Sequence, residues 1–415
     1  MRTRLVSIFG VLGSSLLVLG GVFTVVPLHG EYDSTAPLLY LSSGQGITAI
    51  DATSGTEAFT AEGGVASGNW QRFISAAPGG DGTTALRSVD AYRGDVQSDT
   101  PLSGTLDVRA VSYHGDLVAL SPDARAVNGR QPGRSSTKIV VASTINAAPT
   151  RTYDVAANIE PEAFSTDGGA LFVVQYLPPM RPDRYQVRRL DLRTGELTMV
   201  QSIDGANQGQ MPGIARTSVM SPDGRRLYTL YTSEENGQRY SFVHVLDLDK
   251  QWAHCVDLPL TFGQDPEAMS LAINPIGTMV YVADVAAGKL AAVNTSVVGL
   301  DSVARIPIRG VHARPAIAAS TARVYVAAQR NLVAVEAYSW TTKFHATLSS
   351  GVRGIHTLGN SGPFDRIYVA QRRSIAQLDG TTGQQVSAFA ADTPRLTGLA
   401  FQYPPPNGGS YQCAC

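Results

Sequence analysis

Seven charged residues recur at one stage of a repeating strand pattern: Arg109, Glu162, Arg216, Glu267, Arg314, Arg353 and Arg395. Arg109 and Glu162 each stand three residues before a serine-led turn, at Ser112 and Ser165. Arg216 stands five before Ser221, and Glu267 seven before Asn274. Odd offsets place these four on one face of a strand whose side chains alternate with a period of two. Arg314, Arg353 and Arg395 fall at the same stage of later strands but lack a turn marker to fix their register. Brought together, five arginines and two glutamates would form a collar with surplus positive charge. Such a collar could hold carboxylate or phosphate oxygens through forked hydrogen bonds. The opposing expectation is a set of mutually paired ions filling a polar channel, because buried charge needs partners.

Recognisable catalytic patterns are otherwise missing from the sequence. It has no G-x-S-x-G elbow, no H-E-x-x-H, no phosphate-cradling G-x-x-x-x-G-K-[ST] and no EF-hand loop. The seven histidines are scattered without metal-ligand spacing. No catalytic residue, metal or cofactor is therefore assigned. Three cysteines remain: Cys255, and Cys413 and Cys415 in the tail SYQCAC. In an oxidising compartment one disulfide is expected, between Cys255 and a tail cysteine or between Cys413 and Cys415, with one thiol left over.

The elements that would position the charged residues form a repeat. One phrase is an apolar strand ending in an acid and then a tight turn closed by glycine: AIDATSG at Asp51, SVDAYRG at Asp90, RLDLRTG at Asp191 and QLDGTTG at Asp379. The acid's side chain can accept from amides two residues on, while the glycine takes a positive φ. Degenerate copies begin at Asp247, Asn294 and Glu336, and KIVVASTINAAPTRTYDV (138–155) fills the gap before Asp191 as an unmarked pair of strands. The second phrase is an alternating strand, often with an aromatic: LLYLSS at Leu38, RLYTLYT at Arg226, MVYVAD at Met279, RVYVAA at Arg323 and RIYVAQ at Arg366. Both phrases count to eight units of four short strands, a to d. This predicts an all-β fold, a single closed β-propeller of eight blades over residues 37–402. The unit at 69–104 has no clear strand a, so seven blades is the alternative. Residues 38–61 supply strands b, c and d of a first blade, and RLTGLAFQ (395–402) supplies its strand a. Their union would close the ring and remove open sheet edges.

Outside the ring lie residues 1–36 and a Pro/Gly-rich tail, 403–415. Arg2 and Arg4 precede a charge-free run from Leu5 to Leu28, long enough to span a hydrocarbon core of about 30 Å. It is read as an N-terminal transmembrane signal-anchor, with a cleaved signal peptide as the alternative. The propeller is then expected outside the cytoplasm, tethered to the membrane or secreted. A formal net charge of −1 argues against a chain held broadly by nucleic-acid phosphates, so no nucleic-acid partner is expected.

SPDGRRLYTLYT (221–232) and GTMVYVADVAAGKLAAVNTS (277–296) resemble repeats of the YVTN family, bacterial propellers akin to WD40-like domains. The nearest approach to the tetrapeptide is Tyr281-Val282-Ala283-Asp284. The resemblance implies a propeller; its members include binding modules, surface proteins and, in related propellers, lactonases. Longer segments at 124–136, 177–184, 204–212 and 233–239 all map to the b–c and d–a connections, hence to one face of the ring. The expected function is an extracytoplasmic binding or interaction module, taking a protein, glycan or small anionic ligand on that face. The alternative is a lactonase-like hydrolase acting at the channel mouth.

Overall fold

A computed structural model describes residues 37–43, 46–123, 131–145, 150–206, 209–357, 365–391 and 395–400. The segment 5–28, the tail and Cys413 and Cys415 lie outside them. Among the described residues no helix is long and apolar enough to cross a membrane.

The chain folds as an eight-bladed propeller of antiparallel sheets, with Gln201–Ser202 added in parallel at the outer edge of blade 5. Blade 1 takes strand a from Arg395–Ala400 and strands b to d from Leu38–Ser43, Gly46–Asp51 and Glu57–Ala61. Tyr40 pairs with Gly398 across this closure. Blade 2 has a strand a of two residues, Val65–Ala66, which is why the sequence shows none. Blade 3 runs from Asp107–Val111 to Arg151–Val155, and blade 4 from Ile159–Phe164 to Leu197–Met199. Blade 5 runs from Ile214–Met220 to Trp252–Asp257 and blade 6 from Met269–Ile273 to Gly299–Arg305. Blade 7 runs from Ala316–Ala319 to Thr342–Thr347, and blade 8 from Gly354–Thr357 to Gln385–Ala390.

The repeated acids act in the turns. The carboxylates of Asp51, Asp90, Asp191, Asp247 and Asp379 each accept from the amides two and three residues on. Asn294 does the same. Those bonds, with the Thr194 amide foremost, hold Asp191 down at about 2. The repeated tyrosine works between blades. Tyr40, Tyr228, Tyr281, Tyr325 and Tyr368 are fully buried at the third position of strand b. The Tyr40 hydroxyl donates to the Ala91 carbonyl of blade 2 at 2.7 Å, and that of Tyr325 to the Gly380 carbonyl of blade 8 at 3.2 Å. The core is thus a ring of inter-blade seams, each closed by apolar residues from two neighbours.

One segment read as a loop is not one. Residues 233–239 continue strands b and c of blade 5, Arg226–Glu235 and Gln238–Asp247. The turn is Asn236-Gly237, both at positive φ (51° and 76°), the two-residue geometry that matches strand twist. The outcome is a hairpin that projects from the b–c face.

Candidate functional site

The seam between blades 4 and 5 differs from the others. Its core is split in two. A lower cluster holds Ala163, Phe172, Val187 and Leu246; an upper one holds Val174, Tyr185, Tyr231 and Phe242. Thr229 and His244, paired across strands b and c of blade 5, lie at the level between them. Glu162 reaches Thr229 from blade 4, with the hydroxyl 3.5 Å from its Oε1. Above this polar layer the rings of Tyr185 and Tyr231 stack at 4.7 Å, and Tyr231 stacks on Phe242 at 5.4 Å. The innermost strands of most neighbouring blades lie side by side, but those of blades 4 and 5 stand apart, as do those of blades 1 and 2, where strand a is only two residues long.

A cavity of about 450 Å³ opens there on the b–c/d–a face, within the size range of small-molecule sites. The long connections converge on it. Gln131 comes from the b–c loop of blade 3, Asp183 and Arg184 from that of blade 4, and Gly213 from the 4–5 connection. Arg239 comes from the projecting hairpin of blade 5. Asn158 pins two of these loops, donating to the carbonyls of Pro132 and Pro179 at 2.8 and 2.9 Å.

The chemistry of the cleft is mixed. Arg184 pairs with Glu235 at 3.2 Å and Arg239 with Glu234 at 2.9 Å. Arg216 donates to Thr232 Oγ1 and to Glu267 Oε1, both at 2.7 Å. The Gln131 Oε1 atom is buried without a hydrogen-bond partner, as is Glu162 Oε2. Burial without a cation raises the Glu162 carboxyl to about 7, against a hydrogen bond from Thr229 that lowers it. Burial, reinforced by the nearby Cys255 and Glu162 groups, keeps the Tyr185 phenol well above 10. Tyr231 is held above it likewise, by burial first and then by Glu162. Both hydroxyls therefore remain protonated. His244 is pushed down to about 4 by burial and is neutral at pH 7. Burial raises the Cys255 thiol to about 12, and its Sγ lies 3.2 Å from Met211 Sδ behind the upper cluster; its expected disulfide partners, Cys413 and Cys415, lie outside the described residues.

The seven residues of the expected collar do not share one environment. Arg109 has a fully buried side chain and pairs with Glu160 at 3.2 Å, also donating to the Asp123 carbonyl. Arg216 and Arg314 both approach Glu267, at 2.7 and 4.0 Å. Arg353 and Arg395 are exposed at the starts of their inner strands. The parity argument does not hold in the structure. Arg109, Glu162 and Arg216 each sit at a β-bulge of strand a, between Val108 and Ala110, Pro161 and Ala163, and Ala215 and Thr217. A bulge adds one residue and re-aims its side chain. Glu267 precedes its strand, in the short 3-10 turn Pro266–Ala268. The stacked Tyr185 and Tyr231 were not anticipated, since partners on different blades leave no period in sequence.

On the opposite face the turns of blades 3 and 5 meet. The Tyr113 hydroxyl, from the a–b turn of blade 3, donates to the Pro222 carbonyl in that of blade 5. Its ring also lies against Gly68 of blade 2 and Gly224, and a smaller cavity of about 340 Å³ remains beside it among the a–b turns of blades 3, 4 and 5.

No family model matches the chain, and no curated protein matches it in sequence. Among solved structures it is similar to dihydro-heme d1 dehydrogenase NirN in complex with DHE, at 11% identity and a TM-score of 0.54, covering 91% of this chain and 78% of that one. It also aligns with Saccharomyces cerevisiae Sqt1, at 12% identity and a TM-score of 0.47, covering 79% and 85%. Apo AztD from Citrobacter koseri aligns at 14% and 0.38, covering 76% and 96%. At such identities the likeness to NirN shows the shared β-propeller architecture alone.

Proposed function

We propose that the protein is an extracytoplasmic ligand-binding propeller whose blade 4–5 cleft holds a small molecule bearing a carboxylate or phosphate. One observation carries this reading: the long connections of blades 3, 4 and 5 converge where the inner strands part. Insertions gathered on a rigid scaffold are where binding is commonly built. Three guanidinium groups, Arg184, Arg216 and Arg239, reach the cleft, and each can exchange an internal carboxylate for a ligand's. Within the propellers, the buried strand-b tyrosines support a place beside the YVTN type.

A thermal-shift panel of citrate, succinate, glucuronate and sugar phosphates tests the cleft. At a hundred times its Kd, a true ligand adds about 2.7 kcal/mol of stability. Arg216→Ala/Arg239→Ala is expected to lose that shift while keeping the unliganded melting temperature within a few degrees. A shift retained by the double variant, or absent for every compound, sinks the reading.

Display outside the cytoplasm rests on the run from Leu5 to Leu28. Full-length protein is expected in the membrane fraction, with residues 37–402 accessible to added protease in intact cells. Recovery in the cytosol would overturn it.

A hydrolytic reading has one observation in its favour: Glu162, at about 7, has the pKa of a general base. Against it, the Oε2 atom is shut off from solvent.

A further inference from the structure

We infer that the b–c/d–a face of blades 6, 7, 8 and 1 is a second site, separate from the cleft, that binds an extended carboxylated polysaccharide. The net charge of −1 conceals a marked asymmetry. At the blade 6 end of this arc, Lys289 and Arg305 stand directly opposite on adjacent strands. Like charges so placed are destabilising. The 6–7 connection adds Arg309 and Arg314, and the b–c turn of blade 7 adds Arg330, which donates to the Leu348 carbonyl at 2.9 Å. Blade 8 contributes Arg353 before its inner strand and Arg372 and Arg373 in its b–c turn; Arg395 opens the closing strand. All eight arginines are exposed.

These blades are tied side by side on this face. Their inner strands lie next to one another, and between blades 7 and 8 the Val352 amide donates to the Gln329 carbonyl at 2.8 Å, while within blade 8 the Arg353 amide donates to the Ala370 carbonyl at 2.8 Å. The Arg372 amide is 3.3 Å from Ser350 Oγ. Among the described residues the acids do not balance this charge. Glu267 meets Arg314 and Arg216, Asp265 is taken by His312 at 2.6 Å, and Asp284 is buried on backbone amides. The other seven arginines of the arc form no ion pair there. Asp392 lies outside the described residues.

The occupant follows from what accompanies the charge. Positive groups spread over three connections and three turns suit a long polyanion better than one small ion. Of the exposed large apolar residues, Leu260, Val303 and Val65 lie only at the two ends of this face, and among the described residues none lies on the connections and turns that carry Arg309, Arg330, Arg353 and Arg372. The body of the arc therefore lacks the aromatic or aliphatic anchors of a folded-protein interface. It also lacks the stacking platform that single-stranded bases use. The choice of a sugar polymer over duplex nucleic acid rests on the display outside the cytoplasm proposed above.

The test is fluorescence anisotropy of the full chain with an end-labelled oligogalacturonate of about ten sugars and a DNA duplex of equal charge. The oligogalacturonate is expected to bind, with affinity falling about tenfold between 0.05 and 0.2 M salt. Arg330→Glu/Arg353→Glu/Arg372→Glu should weaken it about a hundredfold or more. Arg372→Gln/Arg373→Gln is the milder check should the reversal disturb folding, and should weaken it at least fivefold. Arg184→Ala, in the cleft and paired with Glu235, should bind as wild type; a loss there would instead place the polymer in the cleft. Absence of binding, insensitivity to both arc variants, or tighter binding of the duplex overturns the inference. The citrate and sugar-phosphate panel for the cleft stands or falls independently.

Discussion

Alanine in place of Asp365 is expected to cost about 3–5 kcal/mol of stability, the range for removing one partner of a buried ion pair. Asp365 is 2% exposed and joins blades 7 and 8 from a single carboxylate. It accepts from the Arg323 guanidinium, from the Tyr325 hydroxyl at 3.1 Å and from Thr381 Oγ1 at 3.3 Å. Arg323, also bonded to Glu336 at 3.0 Å, would keep one anion where it now has two. Tyr325 would retain only the Gly380 carbonyl. Asp365→Asn, which can accept but carries no charge, should fall between alanine and wild type. Urea midpoints measure both. A loss below about 1 kcal/mol for alanine would show that water replaces the carboxylate and that the apolar seam alone holds these blades.

Glu162→Gln is expected to act in the opposite direction. Its carboxyl titrates at about 7 in the fold against an ordinary value of 4.5. Between those values the native state binds more protons than the unfolded one, so stability falls as pH rises. The contribution is intact below pH 4.5 and lost through about pH 7. At pH 8 the penalty amounts to about 3 kcal/mol. Glutamine fills the same space without that penalty. His244 and His356, both lowered to about 4 by burial, add stability as pH rises from 4 to 6.5. The informative quantity is therefore the variant minus wild type in denaturation midpoints from pH 4 to 8.5, which removes the histidine contributions. A flat difference would mean that Glu162 is solvated or paired in solution.

Much of the architecture could be read from residues because a hairpin turn has local chemistry. Asp51, Asp90, Asp191 and Asp379 perform in the structure the amide capping that their spacing implies. The union of the first three strands with the last followed from counting strands at the two ends. The site was less legible. The loop-rich face was visible as surplus length, but the convergence of those loops on one seam depends on blade order in space. Arg109 could not be matched to Glu160 from sequence, since the two belong to different blades and Glu162 fitted the same pattern better. The bulges at Arg109, Glu162 and Arg216 obey no residue preference in this chain, so the alternation they interrupt gave no warning. Asn236-Gly237 did carry a signal, a two-residue turn between polar strands that was taken for surplus loop.

The closing pair of strands has a mechanical consequence. Leu38 lies opposite Ala400, so the chain enters and leaves the ring at neighbouring points on the face away from the cleft. Tension pulling both ends from that side would load one rung of the ladder at a time, as in parting a zipper, and not the whole ladder in shear. The join would yield at low force, beginning with Leu38 and Ala400 and running toward Ser42 and Arg395. Tension between the N-terminal end alone and a ligand on the opposite face takes another route. It draws Leu38–Ser43 along its own axis against two neighbouring strands, where every rung resists together. A propeller closed in this way is weak when stretched by its two ends and strong when pulled between its N-terminal end and the opposite face.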